Sequence, residues 1–414
     1  MCIRDRLDTA LFSLYYPTED GARSSKPHHY WIAPPLALTA EGYARFAHIN
    51  NFFTNHVFTF ALWALAGGNR IPAEVDVPLR SQTHPIGQTP THSHGKQGEG
   101  YPVIVFSHGM ASSRTDYTQY CAELAARGYI VAAIEHRDGS GPGSVVKTEG
   151  QPDRNVFHRN LDELESAQHL DTPALKTAQL DFRQAEIEET VRVLRDINAG
   201  SGNTIFKHNP RAEGSDLDQW SGRLNVEEMT VGGHSYGATG ALQTLRGGPS
   251  TALPFKGAII LDPGKSSGPL NDDVRVPVLI VHSHSWSKKH SIFYGQPHFE
   301  VVRELAQNVL KRGHAAWFAT SLGTTHPSVT DAPLIEPMLL SWTTGAKIDV
   351  REGVEQYVKV SEQFLHFQRT GVRTGLLKLP ITHPHYQDDE RSPELKESMP
   401  EEYRKYWQVH VAPE

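Results

Sequence analysis

The sequence predicts an α/β fold in which a mostly parallel central sheet is flanked by helices. Three observations predict it. Short uninterrupted apolar runs, such as Tyr101 to Phe106 and Gly257 to Leu261, have the composition of strands buried on both faces of a parallel sheet. They alternate with longer runs of helical period, as in Gln179 to Asn198, so that strand, helix and strand follow in turn. Finally, Met229 to Gly240 reads as a buried strand, a sharp turn and a helix, with Gly233-His234-Ser235-Tyr236-Gly237 at the turn.

In chain order, Leu11 to Tyr16 is a first strand stopped by Pro17. From Glu41 to Ala66 the spacing of Phe46, Ile49, Phe53, Val57, Phe60, Ala61 and Leu65 is helical, with Gly67-Gly68 as the stop. A Phe-rich stripe of this kind is compatible with a surface that meets lipid. The preferred reading is a core or cap helix, because an apolar stripe is usually the buried side. Arg80 to Gly100 is a loop rich in Pro, Gly and His. His92 and His94 there look like a metal pair, but no third ligand with plausible spacing lies nearby, so a solvated loop and no metal are expected.

The strand Tyr101 to Phe106 runs into Ser107-His108-Gly109-Met110, a turn of the kind that lends a backbone N–H to an oxyanion. Helix Asp116 to Arg127 ends at Gly128, and strand Tyr129 to Glu135 follows. After His136 to Ser140 the chain stays polar and irregular to about Thr177; a connection so long is usually functional, and it is expected to form part of the site rim. Helix Gln179 to Asn198 carries Leu180, Ile187, Val191, Leu194 and Ile197 on one face. Glu186, Glu188 and Glu189 are expected on its solvated face. A second insertion, Gly200 to Leu224, leads to the turn at Ser235, after which a helix, Ala238 to Leu245, is expected. Two buried strands, Gly257 to Leu261 and Val276 to Val281, a helix Phe299 to Arg312 and a last strand Ala315 to Thr320 complete the pattern. The tail from Val350 offers a helix, Glu352 to Phe367, and a polar end expected to wrap the surface. One domain, 1–414, accounts for the chain, with its core at about 11–345 and a helix and tail at 346–414.

Composition narrows the class. Apolar residues make up 38% of 414, and the formal net charge is -7, so there is no basic field to attract nucleic acid and no acidic tract. Two cysteines, Cys2 and Cys121, cannot make a disulfide framework. No run approaches the roughly 18 to 20 apolar residues that span a bilayer, and Met1 to Asp8 lack the apolar centre of a signal peptide. A soluble enzyme is expected, cytoplasmic rather than exported, although so early a first strand is compatible with a missing upstream segment.

The chemistry centres on Ser235. In a nucleophile elbow the flanking glycines admit a strand-to-helix turn too tight for a Cβ, and the serine is pushed out at its tip. A second match, Gly264-Lys265-Ser266-Ser267-Gly268, is followed by Pro269 and polar residues instead of a helix, and reads as a plain turn. A serine hydroxyl needs an imidazole to take its proton and a carboxylate to orient that imidazole. In such elbows the chain order is Ser, acid, His. Asp262 stands at the end of the next strand, whereas the following strand ends in His282-Ser283-His284-Ser285, which holds no carboxylate. That absence favours Asp262, with Asp272 and Asp273 as the fallback in a polar loop. His326, in Gly323-Thr324-Thr325-His326-Pro327, follows the last strand and is the base expected. His282 and His284 either line the pocket or are structural; His290, His298 and His314 fall in loop or helix contexts.

Six segments then carry a resemblance: Phe106 to Met110, Ile134 to Asp138, Arg195 to Asn198, Gly233 to Gly237, Leu261-Asp262 and Gly323 to His326. In order and spacing they resemble the platelet-activating factor acetylhydrolases of the plasma and type II intracellular group, over about Leu11 to Met338. The resemblance implies an α/β-hydrolase fold with loop insertions around the active site. It also implies a calcium-independent serine esterase, without cofactor, that removes short or oxidised sn-2 acyl groups from phospholipids, with possible peripheral contact with membranes or lipid particles. Matching positions give Ser235, Asp262 and His326 as the triad and the backbone N–H groups of Met110 and Tyr236 as the oxyanion hole. Tyr236 stands where the family often has Phe, and Pro263-Gly264 where bulky residues are usual; the insertions and tail look more like fungal members. A general carboxylesterase or polyester hydrolase on the same fold is the alternative, and an inactive binding scaffold a more distant one.

Overall fold

The computed structural model describes residues 7, 9–81, 100–164, 171–288, 291–337, 345–386 and 399–414. His92, His94 and His290 lie outside them. The chain falls into two compact units, Met1–Met229 and Thr230–Glu414.

In the first unit β1 (Phe12–Tyr15) is followed by helices α1 (Leu36–Phe46) and α2 (Phe52–Ala66). Then come β2 (Tyr101–Ser107), α3 (Thr118–Ala126), β3 (Ile130–Ile134) and a hairpin of β4 (Gly143–Val146) and β5 (Arg154–Phe157). Helices α4 (Thr172–Asp196) and α5 (Gly202–Lys207) lead to β6 (Leu224–His234), which runs on into the second unit. The strand order here is β1-β3-β2-β6, with β3 parallel to β2 and antiparallel to β1. Of the β2 residues all but Pro102 are buried, as the unbroken apolar run requires. Cys121 is buried inside α3.

The second unit continues from β6 through α6 (Tyr236–Thr244), β7 (Phe255–Leu261), β8 (Val278–Ser283) and the short α7 (His284–Lys288). A small hairpin, β9 (Ile292–Phe293) and β10 (Gln296–Pro297), precedes α8 (His298–Lys311) and β11 (Ala316–Ser321). The short α9 (Ala332–Ile335), the long α10 (Val350–Thr370) and β12 (Trp407–Val411) complete it. Strand order is β6-β7-β8-β11-β12; β7, β8 and β11 are parallel, and β12 is antiparallel to β11. The chain thus carries a mixed, mostly parallel eight-stranded sheet with flanking helices.

Four expectations need correction. The predicted helix Glu41 to Ala66 is two helices, broken before Asn51. That residue caps α2 by accepting from the Thr54 N–H at 3.0 Å while the Thr54 hydroxyl accepts from its own N–H. More important, α2 is not a core helix. Only Ala66 is buried, while Phe52, Phe53, Phe60 and Trp63 are 82%, 73%, 67% and 63% exposed. Periodicity finds the stripe but cannot tell which way it faces. Glu186 is fully buried instead of solvated, because it shares the buried face of α4 with Arg183, Thr190 and Leu194 and there meets His136 Nδ1 at 2.8 Å and the Arg137 guanidinium at 3.1 Å. The C-terminal end is not a surface wrap: Trp407–Val411 adds an edge strand whose five residues are all buried.

Candidate active site

At the elbow, a Cβ on Gly233 would lie 2.4 Å from the Gly237 carbonyl oxygen, so strand and helix can meet there only through glycine. Ser235 follows at φ 56° and ψ −120°, and α6 begins at once with Tyr236. A left-handed φ is rare for a residue with a side chain. It is sustained by the Ser235 N–H, which donates to Leu261 O at 2.9 Å. The lookalike turn has no helix after it; Ser266 is exposed in a run of bends.

Ser235 Oγ lies 3.0 Å from His326 Nε2, and His326 Nδ1 lies 2.9 Å from Asp262 Oδ2. Asp262, directly beyond β7, is buried and also left-handed, at φ 47°, with its N–H donating to Val281 O at 2.8 Å. Its carboxylate accepts from the Ser283 N–H at 2.6 Å and from the Ser283 hydroxyl at 2.7 Å. His326 opens a 3-10 turn after β11, capped by Thr325 and Ser328, and its N–H donates to Ser285 Oγ at 3.0 Å. With a carboxylate at Nδ1 the ring carries its proton there, and the Nε2 lone pair faces the serine hydroxyl. Chemically, the line can pass a proton from hydroxyl to imidazole and hold the resulting imidazolium.

Two aromatic rings pack on His326. The Trp286 indole lies almost parallel to it, with centroids 3.9 Å apart and planes at 10°. The His234 ring lies at 4.5 Å and 36°. Burial, helped by the neighbouring His326, holds His234 well below the ordinary imidazole range, so it is neutral. Nitrogen and oxygen ligand atoms of His234, Asp262 and His326 lie within 4.8 Å of one another. They could hold a cation only by giving up the Asp262 to His326 hydrogen bond.

The segment His282 to Trp286 holds no carboxylate, but it supplies the surroundings of Asp262 and His326. Ser283 holds Asp262, Ser285 holds the His326 backbone, and His284 Nδ1 accepts from the Gly323 N–H at 3.0 Å. His282 is buried, stacks on His298 and meets Ser287 Oγ at 3.2 Å, a structural role. The fallback acid Asp273 is paired with Arg275 at 3.0 Å. The four polar residues His282 to Ser285 at the end of an otherwise apolar strand were the signal available for this support.

Within the first unit, the turn after β2 is fixed by a buried polar network. Arg183 of α4 donates to Asp138 Oδ2 at 2.8 Å, to His108 O at 2.6 Å and to Ser140 Oγ at 2.6 Å. The Gly109 N–H donates to the Tyr117 hydroxyl at 3.1 Å and the Ala111 N–H to Ser140 O at 2.8 Å. His108 Nδ1 faces Gly109 O at 2.7 Å while Nε2 accepts from the His136 N–H at 3.0 Å. These contacts suit the neutral ring. Burial, with His136 and Arg183 close by, pushes its pKa down to about 3. His136 sits between Ser107 Oγ at 2.7 Å and Glu186 Oε2 at 2.8 Å. Burial raises the Glu186 carboxyl to about 8 against the pull of Arg137. Met110 lies in this unit and Tyr236 in the other.

Comparison with known proteins gives the family and the fold. The family model described as platelet-activating factor acetylhydrolase, isoform II, matches residues 1–373. A platelet-activating factor acetylhydrolase of Cavia porcellus is 27% identical over 70% of this chain and 60% of its own length. One of Gallus gallus is 25% identical over 65% of this chain and 62% of its own length. The chain therefore spans about 60% of the length of these curated relatives. Among solved structures, a ferulic acid esterase from Streptomyces cinnamoneus superposes with a TM-score of 0.51 at 20% identity, covering 90% of this chain and 86% of that one. That likeness is one of fold, the α/β-hydrolase fold.

Proposed function

The chain belongs to the platelet-activating factor acetylhydrolase isoform II family, and on that premise we propose that it is a serine esterase acting on the short or oxidised sn-2 acyl ester of phospholipids. The observation that carries the reading is the unbroken line from Ser235 Oγ through His326 to Asp262, at 3.0 and 2.9 Å. Ser235 attacks the ester carbonyl as His326 Nε2 takes its proton, and Asp262 holds the imidazolium. The backbone N–H groups of Met110 and Tyr236 receive the oxyanion. In support, the N–H groups on either side of Met110 are already engaged, by Tyr117 and Ser140. Collapse of the tetrahedral adduct expels the lysolipid alcohol, which takes the proton from His326. Water, activated by the same imidazole, then hydrolyses the acyl-enzyme.

A lipid surface is the partner this reading requires, and α2 is suited to it. Phe52, Phe53, Val57, Phe60 and Trp63 share one face, all exposed, and the helix carries no Asp, Glu, Lys or Arg. Among the described residues no helix is long and apolar enough to cross a membrane, so contact would be interfacial.

Covalent labelling with a fluorophosphonate tests the chemistry. Wild type should label and Ser235→Ala should not; equal labelling of both would sink the esterase reading. Release of acetate compared with release of long acyl chains from phosphocholine lipids tests the substrate. A preference for esters that are not phospholipids would replace it with the general carboxylesterase alternative.

A further inference from the structure

We propose that Trp286 is a positioning residue for His326, holding the imidazole plane through face-to-face contact. The inference rests on the reading of His326 as the base. The two hydrogen bonds of the imidazole, Nδ1 to Asp262 and Nε2 to Ser235, leave from its edges. Bonds at the edges fix where the ring sits but leave it able to turn about the line that joins them. Contact on a face resists that turn more directly than the Cβ–Cγ bond does. Trp286 supplies it at 3.9 Å and 10°, the closest and flattest ring pair of the second unit's described residues.

The indole is itself held. Its Nε1–H donates to Pro263 O at 3.0 Å, one residue beyond Asp262. The Lys265 ammonium stands 4.6 Å from the centre of its ring and donates to the Trp286 carbonyl at 2.6 Å. The edge of the indole meets His298, which burial and the nearby Lys265 hold neutral, at about 3. The segment that carries the acid therefore also anchors the ring that steadies the base.

Flat contact has a second effect. When Nε2 takes the serine proton the imidazole becomes a cation, and an aromatic face attracts a cation more than a neutral ring. The gain falls on the charged state, which forms during the reaction, and so belongs in kcat and not in KM. Ring alignment and this attraction together should be worth roughly 10- to 50-fold in rate.

The test uses the whole chain and a soluble ester, 4-nitrophenyl acetate, with Trp286→Ala, Trp286→Leu and Trp286→Phe. Expected are a kcat of Trp286→Ala roughly 10- to 50-fold below wild type with KM within about threefold, little recovery with Leu, and recovery to within about fivefold with Phe, which restores a flat face. A packing role alone would be met by Leu as well as by Phe. The proposal is overturned if kcat of Trp286→Ala stays within twofold of wild type, if the loss falls on KM, or if Leu restores as much as Phe. Where the Ala variant does not fold, the comparison of Leu with Phe decides. Ser235→Ala and His326→Ala, run alongside, separate the two readings: if they keep wild-type activity the assignment of the base is wrong whatever Trp286 does.

Discussion

Arg183→Met removes one side of an ion pair that has no solvent to fall back on. Arg183 and Asp138 both have fully buried side chains. The substitution deletes the bonds to Asp138, His108 O and Ser140 and leaves a carboxylate inside the protein. Breaking a buried pair from one side costs about 3 to 5 kcal/mol. The pKa of Asp138 gives a second estimate and the pH dependence. Burial alone would raise its carboxyl, yet Arg183, with His136 and Ser140, brings it from 3.8 to about 2. A carboxyl lowered in the folded state stabilises above its unfolded value, and that contribution is lost as pH falls through the folded value. The gap corresponds to about 2 kcal/mol, present at pH 5 and above. Without Arg183, burial, the largest influence on the group, is opposed only by His136 and the two Ser140 hydrogen bonds; the carboxyl is expected to shift above its unfolded value, and the sign reverses: the variant loses stability as pH rises from 5 to 7.5. Urea unfolding followed by tryptophan fluorescence should show Arg183→Met less stable by about 3 to 5 kcal/mol at pH 7.5 and by less at pH 5. Adding Asp138→Asn should return at least ~1 kcal/mol, because the stranded charge is gone. A double variant no more stable than the single, with a penalty independent of pH, would refute the account. The cost would then lie in packing.

Two other perturbations act on the proposed site and on the exposed aromatic face of α2. In Gly233→Ala the new Cβ, 2.4 Å from the Gly237 carbonyl, must push strand and helix apart by about 1 Å to reach ordinary contact, and a displacement of that size at a nucleophile costs roughly 100-fold; kcat on 4-nitrophenyl acetate should fall by that order, and retention of half the activity would show that the elbow yields more easily than its geometry implies. Replacing Phe53, Phe60 and Trp63 together by Ser should lower sedimentation with phosphatidylcholine vesicles by roughly tenfold or more, since each removed aromatic is worth over 1 kcal/mol of interfacial burial, while hydrolysis of the soluble ester stays within twofold. Unchanged vesicle binding would move the lipid contact away from α2.

The fold was readable because its strands are bounded by physics that acts locally. Runs such as Tyr101 to Phe106 and Gly257 to Leu261 are too apolar for any place but a sheet covered on both faces, and the observed strands fall within a residue or two of them. The placement of Asp262 followed from the same logic, by elimination at strand ends. What was not readable depends on contacts between distant parts of the chain. Glu186 looks like its neighbours Glu188 and Glu189 until His136 and Arg137, some fifty residues away, are seen to use it. The outward turn of α2 is invisible to a periodicity that has no sign. Trp286 gave no signal at all, since a tryptophan after two polar pairs is ordinary in sequence and becomes a partner of His326 only when β8 and β11 lie side by side.

The left-handed residues tie these observations together. Among the described residues seven non-glycine positions take a positive φ, and three of them are Ala111, Ser235 and Asp262. Each follows a strand of the sheet, and each costs about 1 kcal/mol or more relative to a relaxed backbone. Glycine would relieve the strain at all three, but at Ser235 and Asp262 it would delete the side chain that the proposed chemistry uses. The strain is held by hydrogen bonds that carry the ladder one residue past the strand: Ser235 N–H to Leu261 O, and Asp262 N–H to Val281 O. Ala111, four residues past β2, is held by a loop contact instead, its N–H donating to Ser140 O. A parallel sheet whose strands all end at one edge offers several such positions together. Turning the backbone left-handed there keeps the peptide in register while it swings the side chain off the sheet. The elbow at Ser235 is therefore one instance of a device used twice in the proposed triad, and the bond from Ser235 N–H to Leu261 O couples the two instances directly.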